Sequence, residues 1–454
     1  MLIKLKGGDR TLRTVAERDV APVGRRTDVA VIAALLGAVF VLPLSVAGIS
    51  AVLPSIARDL GQNPNALQWV VNGFNLSFAA STIIWGAVAD RFGLRRTFVV
   101  NCVVLVIGSV ASALAPNLLV LDLARFVSGA GAGAVQVSAT ALISIGFSGA
   151  ARAKAFALFG TMLGIGLALG PTISSAVAAA LGWRAVFVLP LFTLTFALMM
   201  RGRLPSGELR HSPVTTGPSA KERWKALILD RRFMAACLVP VAQAVGFITI
   251  LTYLPTAMSA VWGMSEIEIG TTMFVMTGPV LFLPAAGSWL VRAFHGIKVS
   301  TVVGLSLTSL TVGSLVLLFS LSGPSPSAAF YGSLILLGIS FGLPLGLIDR
   351  EALSYASQES QGAASGIFNF LRIGSEAVAV AVYGFALQRL VLAESADPDL
   401  GAAVATGTPG EPEMFLSAFE PIQGMVTLST AIAFLFIVLL NRGGGRNLEE
   451  VERQ

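Results

Sequence analysis

Residues 29–52 read Val29-Ala-Val-Ile-Ala-Ala-Leu-Leu-Gly-Ala-Val-Phe-Val-Leu-Pro43-Leu-Ser-Val-Ala-Gly-Ile-Ser-Ala-Val52. None of them carries a charge, and as a helix they extend about 36 Å at 1.5 Å per residue. About 20 mostly apolar residues suffice to cross the hydrocarbon core of a bilayer. A helix on the surface of a soluble protein shows a polar face; this stretch has none. It reads as a membrane-spanning helix.

Working outward, the same pattern recurs to give twelve spans: 29–52, 69–89, 97–115, 119–143, 154–180, 184–200, 233–261, 268–291, 299–321, 327–348, 362–387 and 415–440. Composition agrees. The chain has 454 residues, 55% hydrophobic and 12% charged, with mean hydropathy +0.79. Soluble domains carry roughly a quarter charged residues. A soluble enzyme, a nucleic-acid binder and a disordered scaffold are thereby excluded. Pro43, Pro171, Pro240, Pro279 and Pro344 fall inside spans, where membrane helices tolerate them. No cleavable signal peptide is expected, because the first apolar run is too long for a signal h-region and follows 28 mostly polar residues.

Charge fixes the orientation. Of 31 Lys and Arg, 26 lie in the two tails and in the connectors of one side. The other side holds Arg58, Arg184 and Arg389, and Arg125 and Arg372 lie within spans. Basic residues mark the cytoplasmic side, so both termini are expected there. The expected organisation is a tail over 1–28, a six-helix bundle over 29–200, a basic linker over 201–232, a second six-helix bundle over 233–440 and a tail over 441–454. The acidic connector around 388–413 reads as a solvated outer loop.

Cys102 and Cys237 lie in apolar runs and read as small buried hydrophobes. His211 and His295 fall in polar connectors, so no buried histidine relay is expected. The sequence has no metal-ligand spacing and no phosphate-binding glycine loop with lysine. Neither a metal nor a cofactor is expected, and ATP is not the energy source.

Three motifs sit at defined places. The connector after span 2 reads Gly86-Ala-Val-Ala-Asp90-Arg91-Phe-Gly93-Leu-Arg95-Arg96. Span 4 carries Arg125-Phe-Val-Ser-Gly129-Ala-Gly131-Ala-Gly133, and span 5 carries Gly166-Leu-Ala-Leu-Gly170-Pro171. With six spans on either side of a basic linker, the chain resembles the major facilitator superfamily, and these are its motifs A, B and C. The resemblance implies an all-α membrane protein of twelve transmembrane helices in two bundles, moving a small molecule by alternating access. Motif A implies a breakable cytoplasmic latch: glycine lets helix ends approach, Asp90 accepts hydrogen bonds, and Arg91, Arg95 and Arg96 hold the segment at the surface. Motif C implies antiport, with Gly166 and Gly170 packing closely and Pro171 favouring a bend. Ser174 and Ser175 stand where the family places further glycines. A degenerate echo, Gly287-Ser-Trp-Leu-Val-Arg292, occupies the equivalent connector of the second half without an aspartate.

Four ionisable residues remain inside spans: Asp122, Arg125, Arg372 and Glu376. Each costs a few kcal/mol on insertion scales, which marks them as proton-coupling candidates. Asp122 and Arg125, three apart on one helix, can neutralise each other as a structural pair, or Arg125 can change partners as a nearby carboxylate gains and loses a proton. In span 11, Ser365, Asn369, Arg372, Glu376 and Tyr383 form one helical stripe that must face the bundle interior or a cavity. Glu376 can bind and release a proton there, or pair with Arg372 merely to staple the helix. The segment Gln361–Arg372 resembles the drug:proton antiporter (multidrug efflux) group, which usually has fourteen spans. Span 1 carries Leu42-Pro43-Leu44-Ser45 where many drug antiporters have an acid.

Asn72, Asn75, Gln243, Tyr253 and Asn369 are candidates for the substrate cavity; Asn72 and Gln243 equally suit interhelical hydrogen bonds. Trp69 reads as an interfacial anchor. The expected function is proton-coupled export of a small amphipathic compound across a plasma membrane, in bacteria the inner membrane. Its partners are that compound, protons and the bilayer, and a monomer is the expected functional unit. An importer or facilitator of a small, possibly anionic metabolite is the alternative. A non-transporting membrane sensor is more remote, since no connector is long enough for a soluble domain. No enzymatic centre is expected.

Overall fold

Backbone groups inside a bilayer must be satisfied within the chain, which leaves helix as the structure for apolar spans of this kind. A computed structural model describes residues 25–61, 63–147, 149–204, 220–294, 296–356 and 361–443, and no strand occurs among them. His211 and His295, most of the N-terminal tail and most of the C-terminal tail lie outside the described residues. The first half comprises α1 (Arg25–Leu60), α2 (Pro64–Phe92), α3 (Leu94–Ala113), α4 (Leu118–Gly146), α5 (Gly149–Leu181) and α6 (Leu189–Met199). A linker helix, α7 (Ala220–Leu229), precedes the second half. There follow α8 (Arg231–Gln243), α9 (Thr249–Trp262), α10 (Glu266–Thr277), α11 (Leu283–Ala293), α12 (Val299–Ser320), α13 (Ala328–Gly342), α14 (Leu347–Ser354), α15 (Gln361–Glu394), α16 (Pro398–Ala405) and α17 (Pro412–Gly443).

Among the described residues, eleven helical segments are long and apolar enough to cross a membrane. The segment expected at 69–89 is not one of them. It lies in α2, a 29-residue helix in which the surroundings of residues 64–65, 83 and 86–91 lie outside what the structure describes. Around the molecule, Ile107, Leu123, Phe192, Leu305, Val382 and Leu435 are each more than half exposed. Such a belt of bare apolar side chains suits a lipid surface.

The prolines do not all act alike. α1 runs unbroken through Pro43 and Pro54, and α5 through Pro171. In the second half α9 and α17 also run unbroken through Pro255 and Pro421, but the backbone departs from α geometry at or next to three other prolines. A π-helical turn at Ala244–Ile248 follows Pro240, and a 3-10 turn at Gly278–Leu281 contains Pro279. The chain unwinds at 343–346, where Gly346 takes φ 78° before α14 begins. Proline removes a donor, and the left-handed φ at Gly346 is one that a Cβ disfavours.

The two halves meet at one end. A single apolar core runs from the last turns of α1 and α5 and the first turn of α2 into α8, α9, α10 and α15. At the opposite end the core splits, with one cluster around Leu35, Phe98 and Leu142 and another around Val302, Leu343 and Leu347. We call these the joined end and the opposite end. The connector expected as a solvated loop also differs: α15 continues to Glu394, and α16 packs back onto α15, burying Gly401 and Val404.

Candidate functional site

Arg125 is buried on α4, and its donors go to backbone rather than to a carboxylate. Nε donates to the Val70 carbonyl at 2.9 Å and Nη2 to the Ser45 carbonyl at 2.9 Å. The guanidinium lies 4.1 Å from the centroid of the Phe74 ring, a cation–π arrangement. One arginine thus ties α1, α2 and α4 together. Asp122 is half-buried, with Oδ1 buried and unpartnered among the described residues.

On α15, Arg372 does something else. Its Nη1 donates to Asp349 Oδ1 at 2.8 Å, with the two side chains 21% and 34% exposed. Asp349 reaches it because the chain unwinds at 343–346 and re-forms as α14. Glu376, one turn on from Arg372, is half-buried and within electrostatic range of the same guanidinium, but the hydrogen bond goes to Asp349. The arginine whose alternative reading was a staple for Glu376 is held by a carboxylate from a neighbouring helix. Sequence reasoning passed over Asp349 by counting it into a connector; the signal was an acid placed just after Gly342-Leu-Pro344-Leu-Gly346.

The other candidates scatter. Gln243 is buried and donates from Nε2 to the Ser340 carbonyl at 2.9 Å, which also accepts from Ser306 Oγ at 2.6 Å. Tyr253 donates to the Val380 carbonyl at 3.0 Å and stacks on Tyr383 with centroids 4.9 Å apart. Asn72 and Asn75 are buried on α2, each with an unpartnered amide atom, Oδ1 and Nδ2 respectively. Asn369 is half-buried on α15. Gly166 and Gly170 seat α5 on α1: a Cβ at Gly166 would lie 2.5 Å from the Phe40 carbonyl oxygen, and one at Gly170 3.4 Å from Leu44 Cα. In motif A, Gly93 takes φ 84° between α2 and α3, Arg95 is half-buried and Arg96 is exposed. The surroundings of Gly86 and the side chains of Asp90, Arg91 and Ser365 lie outside what the structure describes.

Polar clasps cross the joined end. Ser265 and Glu268 form a capping box that starts α10 and sets Glu266 at its first residue. Ser55 Oγ of α1 donates to Glu266, and Arg58 Nη2 lies 3.4 Å from Glu266 Oε1 while donating to Ser55 Oγ at 2.7 Å. Thr172 donates to the Gly270 carbonyl at 2.9 Å, Thr277 to the Ala168 carbonyl at 2.5 Å, and Gln68 to the Gly384 carbonyl at 2.5 Å. Gly270 leaves room for Ser175, whose Cβ would lie 2.5 Å from a Cβ built there. None of these clasps was legible as a pair in the sequence.

Two packed halves joined at one end, with an arginine held inside each, meet an independent finding. The family model described as Major Facilitator Superfamily matches residues 35–379. The chain belongs to the major facilitator superfamily.

Among its relatives, the multidrug resistance protein Stp of Mycobacterium tuberculosis (strain CDC 1551) is 33% identical over 164 residues, 36% of this chain and 30% of that one. The probable actinorhodin transporter of Streptomyces coelicolor is 26% identical over 431 residues, 80% of this chain and 72% of that one. The first three curated relatives are matched over only 30% to 37% of their own length. Of solved structures, a bacterial homolog of the human lysosomal transporter Spinster, in its inward-facing and unoccupied conformation, superposes with a TM-score of 0.70. It is 17% identical and covers 92% of this chain and 98% of that one, a likeness of fold.

Proposed function

We propose that this chain is a proton-coupled exporter of small amphipathic compounds, working by alternating access in a bacterial plasma membrane. The observation that carries the reading is the position of Arg372. It bonds Asp349 while Glu376 waits one turn away on the same stripe. With Glu376 protonated, Arg372 rests on Asp349; when Glu376 loses its proton, the new carboxylate competes for the guanidinium. Each proton cycle then moves a charge between α14 and α15. Naming of the relatives for drug resistance and efflux supports export of amphipathic cargo.

The basic residues put the opposite end and both termini in the cytoplasm, with α2 as the twelfth span. The joined end is then extracellular, and the conformation faces inward. Two donors of Arg125 are spent on backbone carbonyls, which leaves an anionic imported cargo less to hold. The test is Glu376→Gln in proteoliposomes with an imposed pH gradient: proton-driven transport of an amphipathic dye is expected to vanish while folding is kept. Proton-driven transport surviving in this variant overturns the assignment.

A further inference from the structure

The linker between the halves is basic: residues 201–232 hold eight Lys and Arg against three acids. Part of it is α7, which reads Ala220-Lys-Glu-Arg-Trp-Lys225-Ala-Leu-Ile-Leu229. Leu227 is buried and belongs to the same apolar core as α8 and α15, which pins the helix to the second half. Asp230, alone between α7 and α8, fixes the corner. Its N–H donates to the Ala226 carbonyl at 3.1 Å, and its Oδ1 accepts from the backbone N–H groups of Arg232 and Phe233 at 2.8 and 3.2 Å. α7 therefore has a set position where a membrane span begins.

What α7 turns outward is mixed in character. Ile228 is 50% and Leu229 68% exposed. Lys225 is exposed one turn before Leu229, and residues four apart share a helix face. Arg231, the first residue of α8, is exposed as well. Apolar tips beside cations at the edge of a bilayer fit one partner in both respects. The acyl boundary takes isoleucine and leucine, and anionic headgroups take the ammonium and guanidinium groups. A soluble polyanion satisfies the cations alone and leaves Ile228 and Leu229 in water.

We infer that α7 and the start of α8 form a docking surface for a bilayer containing anionic phospholipid, with Ile228 and Leu229 entering the interface and Lys225 and Arg231 meeting the headgroups. The surface is independent of the proton chemistry at Glu376. Only the choice of leaflet, the inner one, rests on the orientation proposed above.

The test uses the full chain in nanodiscs, with Leu229→Cys carrying a nitrobenzoxadiazole fluorophore; the natural Cys102 and Cys237 are buried, which directs the label. One set of discs is phosphatidylcholine and the other a mixture with phosphatidylglycerol, and both contain a nitroxide-bearing phosphatidylcholine as quencher. Quenching at low salt is expected to be greater in the mixed discs, and high salt should remove the difference. Lys225→Gln should lower the docked-to-free ratio in the mixed discs about fivefold, the worth of one lysine near an anionic surface, and leave it unchanged in phosphatidylcholine. A label at Asp399→Cys, exposed on α16, should quench alike in both. The two lipids are compared on one labelled protein, so misfolding of a variant cannot decide the result. Equal quenching at 229 in both discs means apolar contact without headgroup recognition and overturns the inference. So does no quenching in either, which puts the face against water or protein, and so does an equal gain at 399. Nanodiscs open both sides and no transport is read, so failure here leaves proton-coupled export standing, and the converse holds.

Discussion

Two arginines inside the helices of this transporter-family chain meet the same problem in opposite ways. Arg125 gives its donors to the carbonyls of Val70 and Ser45. Those acceptors belong to helix backbones and cannot change charge or swing away. Arg372 gives its donor to Asp349, a side chain on a short helix after an unwound stretch, with Glu376 in electrostatic range. A cation fixed to backbone is part of the scaffold; a cation between two carboxylates can be exchanged. On the function proposed above, the first arginine is scaffold and the second is the switch, although both stood out equally as ionisable residues inside spans.

Substitutions at four positions probe the contrast, in falling order of effect. Arg125→Ala removes two charge-assisted hydrogen bonds and a stacked ring, and should cost roughly 3 kcal/mol or more, read as a lowered Tm in detergent. Arg125→Lys should recover little of it, since an ammonium on a flexible stem does not reproduce the guanidinium fork. Arg372→Ala should change the Tm much less, by about 1 kcal/mol or under for a partly exposed pair, yet abolish export driven by a pH gradient. If both variants lose stability equally and neither alters coupling, the contrast falls. Asp349→Asn should leave Arg372 on Glu376 and slow exchange several-fold, measured as dye efflux from vesicles, with less change in Tm than Arg372→Ala. The smallest effect belongs to Arg58→Ala. Arg58 is exposed in its pair with the partly buried Glu266, and the contact contributes about 1 kcal/mol or less, seen as modestly greater maleimide labelling of a cysteine placed at Thr256.

Much of the fold was legible because bilayer length and charge sidedness are coarse, strong signals. The two intramembrane arginines stood out for the same reason. Their partners did not, because a backbone carbonyl two helices away leaves no mark in composition. Prolines misled in one respect. All five looked alike in the sequence, yet α1 and α5 absorb theirs while the second half breaks around Pro279 and Pro344. At the second of these, Gly346 takes φ 78°, which a Cβ disfavours. Asp349 became part of the candidate site only through that unwinding. Residues 398–405 formed a helix where acidity suggested a solvated loop, since Gly401 and Val404 supply a buried side that net charge conceals.

Three of the clasps at the joined end have a side-chain donor on one half and a backbone carbonyl on the other: Thr172 to Gly270, Thr277 to Ala168, and Gln68 to Gly384. A carbonyl is present whichever amino acid occupies the position. The genetics of this seam should therefore be one-sided. Loss of the hydroxyl or amide can be reached by mutation, whereas no replacement at the accepting position deletes the acceptor, and only added bulk there can disturb it. A suppressor screen should accordingly recover donor losses at 68, 172 and 277 and bulky intrusions at 168, 270 and 384, two kinds of lesion at the same three contacts.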